Sequence, residues 1–196
     1  MRQPANVFTS ARVESVDSGL RAMGLSLVCL LLAGTVAGEQ SNPVDRFERV
    51  SFLVGRWEGT SEGQPGKGTV RREYARALNG VFIRVRNRNE YPPQEKNPKG
   101  EVHEDEGFIS FDRARKKLVY RQFHVEGFVN QYVEDGDSSP TKVVFTSEAL
   151  ENIPAGWRAR ETYVVHGPDE FEEIFELAQS GKPFELYSRA RLKRVQ

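Results

Sequence analysis

From residue 56 onward the chain is built of short segments in which apolar and polar positions alternate. Arg56–Glu62, Gly68–Arg76, Val81–Asn89, Glu106–Asp112, Lys117–Val125 and Phe128–Glu134 read as strands, followed by Lys142–Glu148, Trp157–Val165, Phe171–Ala178 and Phe184–Lys193. They are rich in Val, Phe, Tyr and Thr, which pack well on a half-buried pleated surface, and Gly, Pro, Asn and Asp separate them. Leu78-Asn79-Gly80, Asp135-Gly136-Asp137 and Ser180-Gly181-Lys182 carry hairpin chemistry, and Phe111–Lys117 reads as a tight charged turn. About ten strands in local hairpins, without helices between them, predict an antiparallel meander. At this length it must close on itself or fold into two sheets to manage its edges. The expected fold is all-β: an antiparallel up-and-down β-barrel of about ten strands with a short N-terminal helix. Asn42 is placed to cap that helix, Pro43 to open it, Val44, Phe47, Val50 and Leu53 to line one face, and Gly55 to end it. The loop Tyr91–Gly100, with three prolines, is expected to cross a rim of the barrel.

The N-terminal segment follows a different pattern. Arg21 precedes 17 uncharged residues, Ala22 to Gly38, around the apolar run Leu25–Ala33, and small residues cluster at Ala33–Gly38. That length is short for a membrane span of about 20 residues but suits a secretory signal. Residues 1–38 are therefore expected to be a signal peptide or N-terminal extension, and residues 39–196 a single barrel domain, exported to a periplasmic or extracellular space, with no stable membrane span once the signal is cleaved.

Composition narrows the function classes. The chain carries 28 basic and 28 acidic residues, so it lacks the global field of a nucleic-acid binder. Its one cysteine, Cys29, lies in the signal, which leaves the mature chain with neither a disulfide framework nor a thiol nucleophile. Phosphate-binding loop, Gly-x-Ser-x-Gly and His-Glu-x-x-His patterns are all missing from the sequence.

Chemistry-bearing residues fall mainly on strands. Alternation puts Tyr120, Gln122, His124 and Glu126 on one face, and Val119, Arg121, Phe123 and Val125 on the other. Hydrophobicity favours the Val/Phe face as core, with the polar ladder in solvent; a ligand-binding lumen would reverse that assignment. Arg84, Arg86 and Arg88 alternate with apolar residues and read as a solvated face, from which a single inward arginine, Arg84, would serve as an anion anchor. Glu101, His103 and Asp105 share one face if extended and could ligate a divalent metal, but their acidic, proline-flanked setting reads as a solvated loop. His166, before Gly167-Pro168, reads as a surface turn residue.

A helix followed by Phe52-Leu53-Val54-Gly55-Arg56-Trp57-Glu58-Gly59 and a β-meander resembles the calycin superfamily, in which a Gly-x-Trp on the first strand plugs one end of the barrel. Thr60-Ser61-Glu62-Gly63 and the closing Leu186–Arg194 are similar to the nitrobindins, haem-binding ten-stranded barrels associated with peroxynitrite isomerisation. The resemblance runs from about residue 47 to 194, with motif-like matches only at its two ends. In nitrobindins the closing strand supplies the histidine that binds haem iron; the corresponding position here is Tyr187. Tyrosine also ligates ferric haem, so haem remains possible although no cofactor is expected. The ending is equally similar to exported relatives of uncharacterised chemistry whose last strand carries a Glu-x-Tyr pattern, and the chain sits closer to these.

The resemblance and the architecture together imply a non-catalytic barrel binding a small apolar or carboxylate-bearing molecule. Trp57, Tyr74, Tyr120, His124 and Tyr187 are its expected lining residues, with Arg84 as anchor. Two alternatives are a haem protein of the peroxynitrite isomerase type with Tyr187 on the iron, and a side-chain-filled barrel acting as an interaction module. A cavity, its lining and its size distinguish the three.

Overall fold

The computed structural model describes residues 45–95 and 97–195. The signal-like segment and the capping residues Asn42–Val44 lie outside the described residues. All ten expected strands are present: β1 (Gly55–Gly63), β2 (Gly68–Ala77), β3 (Phe82–Tyr91), β4 (Glu101–Asp112), β5 (Lys117–His124), β6 (Val129–Glu134), β7 (Lys142–Glu151), β8 (Arg158–Gly167), β9 (Glu170–Ala178) and β10 (Glu185–Val195). Each pairs antiparallel with its chain neighbours, and β1 pairs with β10 from Arg56↔Val195 to Gly63↔Ser188, so the sheet is a closed barrel. Gly59 permits this closure: a Cβ there would stand 1.9 Å from the Arg191 carbonyl oxygen on β10. Leu78, Asn79 and Gly80 all adopt positive φ, as the hairpin signal requires.

The expected helix is shorter and tighter than its capping pattern implied. It is a 3₁₀ helix, Glu48–Leu53, and the Asp45 carboxylate accepts the Phe47 N–H at 3.0 Å just ahead of it. Phe47, Val50 and Leu53 are buried under one end of the barrel. Behind them Trp57 donates its indole N–H to the Leu53 carbonyl at 2.7 Å and meets Phe171 edge-on at 4.7 Å. Rings then succeed one another across the interior: Phe171–Tyr163 at 6.1 Å, Tyr163–Phe145 at 6.2 Å, Phe145–Tyr120 at 6.1 Å and Tyr120–Tyr132 at 5.7 Å. With Tyr74, Ile83, Ile109, Leu118 and Leu192 they pack this half of the barrel solid.

Two assignments of strand faces reverse or resolve here. Tyr120, Gln122 and His124 turn inward, while Phe123 and Val125 stand 53% and 64% exposed, so the polar ladder and not the Val/Phe face belongs to the lumen. Of these, His124 is met by side chains of neighbouring strands, His103 of β4 and Asn130 of β6. Arg84, Arg86 and Arg88 do form an outer face, paired with Glu73 at 3.3 Å, Glu106 at 3.0 Å and Glu90 at 2.7 Å. The anchor role expected of Arg84 is therefore corrected: the inward positions of β3 are Ile83, Val85, Asn87, Asn89 and Tyr91. Among the described residues no helix is long and apolar enough to cross a membrane.

Candidate functional site

The end opposite the 3₁₀ helix is open, rimmed by the connections 64–67, 92–100, 125–128, 152–157 and 179–184. The proline-rich connection after Tyr91 lies on this rim as expected. It is tied to 64–67 by the Gln94 side chain, which accepts the Lys67 N–H at 2.8 Å and donates to its carbonyl at 3.0 Å. Below the rim lies a cavity of about 410 Å³, within the size range of small-molecule sites. Phe128, Ile153, Trp157, Phe175, Leu177 and Tyr187 form an apolar collar, and Ala159 and Ala190 leave room between them.

The floor is polar. Arg72, on the inward face of β2 between Val70 and Tyr74, meets Glu173 of β9 in a two-pronged pair: Nε to Oε2 at 3.0 Å and Nη2 to Oε1 at 2.6 Å. Its Nη1 donates to Asn89 and to the Arg71 carbonyl. Around this pair the Tyr74 and Tyr120 hydroxyls, Asn87 Oδ1, Gln122 Oε1, Asn130 Oδ1 and Glu161 Oε2 are buried without hydrogen-bond partners. Burial pushes the Glu161 carboxyl well above the usual glutamate range, reinforced by the negative charge of Glu173. Burial likewise raises Asp105, against the opposing pull of Gln122, Arg72 and His103. The tyrosine hydroxyls are pushed up by burial and stay neutral. Arg72 is the one arginine or lysine lining the cavity among the described residues, and Glu173 already engages it.

Between floor and collar sit two imidazoles. His124 Nδ1 lies 3.2 Å from His103 Nε2, and Asp105 Oδ2 lies 3.7 Å from that same nitrogen. The far atoms are held from outside the cluster: His103 Nδ1 to Glu126 at 2.7 Å, His124 Nε2 to the Asn130 amide at 3.1 Å, and Asp105 Oδ1 by the Asn87 amide at 2.8 Å. Phe128 stacks on His124 at 4.0 Å. Burial, with His103 adding to it, lowers the His124 pKa to about 3, so its ring is neutral at neutral pH. The solvated-loop expectation for Glu101, His103 and Asp105 is thus overturned. Strand β4 starts at Glu101, not Glu106, because Asn87, Asn89 and Tyr91 of a lengthened β3 pair with Asp105, His103 and Glu101.

The six expected site residues separate into three groups. His124 and Tyr187 line the cavity. Trp57, Tyr74 and Tyr120 point inward but belong to the packed half beneath it. Arg84 is outside. Tyr187 reaches the cavity through a bulge between Leu186 and Ser188, which lets it face inward beside Ser188 while Arg189 and Arg191 stay outside. Arg72, Glu161 and Glu173 were missed. Each lies two residues from large inward apolar neighbours on both sides or on one (Val70 and Tyr74, Tyr163, Phe171 and Phe175), and that spacing is a signal for a buried charge.

The residues fit haem ligation by Tyr187 poorly. A phenol must ionise to bind ferric iron, and burial together with the Glu101 charge pushes the Tyr187 hydroxyl up. The cavity also offers no unpaired arginine or lysine among the described residues to meet haem carboxylates.

No family model matches the chain, and no curated protein matches it. Among solved structures, the crystal structure of Rv2717c from M. tuberculosis is similar, with a TM-score of 0.58 and 15% identity over 79% of this chain and 100% of that one. A de novo designed fluorescence-activating β-barrel follows (TM-score 0.41, 14% identity, 76% of this chain and 98% of that one), then a redesigned β-barrel (0.39, 10%, 76% and 96%). The first likeness agrees with the closed ten-stranded barrel and concerns the fold alone.

Proposed function

We propose that this chain is an exported, calycin-like barrel that binds a small molecule with an apolar body and a neutral hydrogen-bonding head. The observation that carries this reading is the division of the cavity into an apolar collar and a floor of buried, unpartnered polar atoms. Each such atom costs on the order of 1–3 kcal/mol when left unsatisfied, so a ligand or ordered water that pairs with several at once recovers a substantial sum. A carboxylate head is disfavoured on the bare floor, because Arg72 is already paired with Glu173 and has Asp105 nearby. The collar supplies affinity by apolar enclosure, and the floor selects the head group. A filled interaction barrel is the weaker reading, since side chains pack only the half that contains Trp57.

Trp157, on the collar, is a built-in reporter. Titration of the full chain with small phenols, amides and alcohols of graded apolar bulk should shift its emission saturably, with matched carboxylates weaker. Ala159→Phe, which fills the cavity from its wall, should abolish the response while leaving the fold intact by circular dichroism. A saturable response that survives in the filled variant would place the binding elsewhere and sink this reading.

A further inference from the structure

The two imidazoles and one carboxylate above the floor have a geometry that a neutral organic ligand does not require. His103 and Asp105 stand two residues apart on β4, on the same face, and His124 lies directly across from Asp105 on β5. One ligand-type atom from each lies within 4.8 Å of those of the other two. A tetrahedral ion with bonds of about 2.0–2.1 Å to nitrogen and oxygen sets its donors about 3.3 Å apart. The His103–His124 separation of 3.2 Å and the His103–Asp105 separation of 3.7 Å are already near that edge.

We propose that His103 Nε2, Asp105 Oδ2 and His124 Nδ1 form a site for one divalent transition-metal ion, its remaining positions open to the cavity. The inference stands apart from whether an organic molecule occupies the collar. Two further observations point the same way. Every one of the three groups is gripped at its far atom by another side chain, Glu126, Asn87 or Asn130, so the near atoms converge on a common point. Outer partners of this kind, above all a carboxylate behind a histidine, orient metal ligands and strengthen them as donors. Moreover, the Asn130 amide oxygen is buried and unpartnered as the side chain stands. Turned end for end, it accepts the Nε2–H that metal at His124 Nδ1 leaves in place.

Two nitrogens and one carboxylate oxygen suit zinc, ferrous iron or cobalt, and are too poor in oxygen for calcium or magnesium. Glu101, His103 and Glu126 make a second, outer grouping at the mouth. It would use His103 Nδ1, the nitrogen that Glu126 already holds at 2.7 Å, and its two acids are exposed. The inner set is therefore the site.

The test is a titration of the chelator-stripped full chain with Co²⁺ alone, read by visible absorption and calorimetry, and with Zn²⁺ in competition. The expected result is one equivalent bound, with the d–d bands of a nitrogen- and oxygen-ligated ion. Binding should be lost in His124→Gln and in Asp105→Asn, weakened about 10–100-fold in Glu126→Gln, and unchanged in Glu101→Gln. Because a buried substitution can disturb folding, the wild-type chain gives an independent readout. It has three histidines, and Zn²⁺ should move the ring signals of His103 and His124 in an NMR spectrum while His166 stays put. Failure to saturate at one equivalent, survival of binding in both His124→Gln and Asp105→Asn, its loss in Glu101→Gln, or a Zn²⁺ response confined to His166 would each overturn the proposal.

Discussion

Arg72 on β2 and Glu173 on β9 join in a two-pronged ion pair across the barrel interior, although β1 and β10 lie between their strands. With side chains only 3% and 12% exposed, the pair is shielded from solvent and held by further hydrogen bonds to Asn89 and the Arg71 carbonyl. Such a pair adds little over a well-packed apolar alternative, yet removing one member strands the other charge. Arg72→Met is therefore expected to cost about 3–5 kcal/mol in urea unfolding, and Glu173→Met a comparable amount. The double variant should recover most of either loss. A single-variant cost below about 1 kcal/mol would mean that water screens the pair as it does at a surface.

Glu161 gives the barrel a pH dependence of defined sign. Its carboxyl is raised by burial and by Glu173, so the folded chain holds this proton more tightly than the unfolded chain does. The resulting stabilisation is complete below the ordinary glutamate value of about 4.3 and is lost as pH climbs from there through the raised folded value. Glu161→Gln, which keeps the shape and removes the titration, should be more stable than wild type near neutral pH. Its stability should also fall less steeply between pH 4 and the raised value. Parallel wild-type and variant curves of unfolding free energy against pH would rule this out.

The packed core and the cavity lie toward opposite ends of the barrel. At the closed end Arg194 lies over the Trp57 ring at 4.1 Å and donates to the Val54 and Phe52 carbonyls at 2.8 and 2.9 Å, pinning the 3₁₀ segment against the barrel. Trp57→Ala should lower the unfolding free energy by about 3–5 kcal/mol, the usual cost of deleting a buried large aromatic. The affinity for cavity ligands and for Co²⁺ should not change below the melting transition, because Trp57 lines neither collar nor cluster. Equal losses of stability and affinity would show that the packed half and the open half move together.

These separations indicate what the sequence could convey. Strand positions were legible because Gly-, Asn- and Pro-containing breaks interrupt a period-two pattern, whereas Trp57, expected among the lining residues, lies in the packed half instead. The facing of β5 was not legible, because Phe123 and Val125 carry the hydrophobicity while the partners of His124, His103 and Asn130, come from neighbouring strands. The first residues of β4 were hidden by their acidity: Glu101–Glu106 reads as solvated until β3 is seen to run on to Tyr91. The inward turn of Tyr187 depends on a one-residue bulge, which leaves no period in the text. The buried charges Arg72 and Glu173 looked like two more members of an abundant class.

Tyr187 provides the sharpest test of the haem alternative. Its ring meets Phe175 edge-on at 5.5 Å, and its hydroxyl is raised by burial and by Glu101. In this setting the residue contributes an apolar ring to the collar and a neutral O–H to the mouth, not an anionic ligand. Tyr187→Phe keeps the ring and removes the oxygen, so binding of apolar phenols and amides should persist with little change, while Tyr187→Ala, which opens the collar, should weaken it. Titration with ferric haem should then give wild type and Tyr187→Phe the same spectrum. A saturable one-to-one complex whose charge-transfer band disappears only in Tyr187→Phe would instead mean that the phenolate forms on the iron despite its acidic neighbours, and the collar would have to be read as a haem wall.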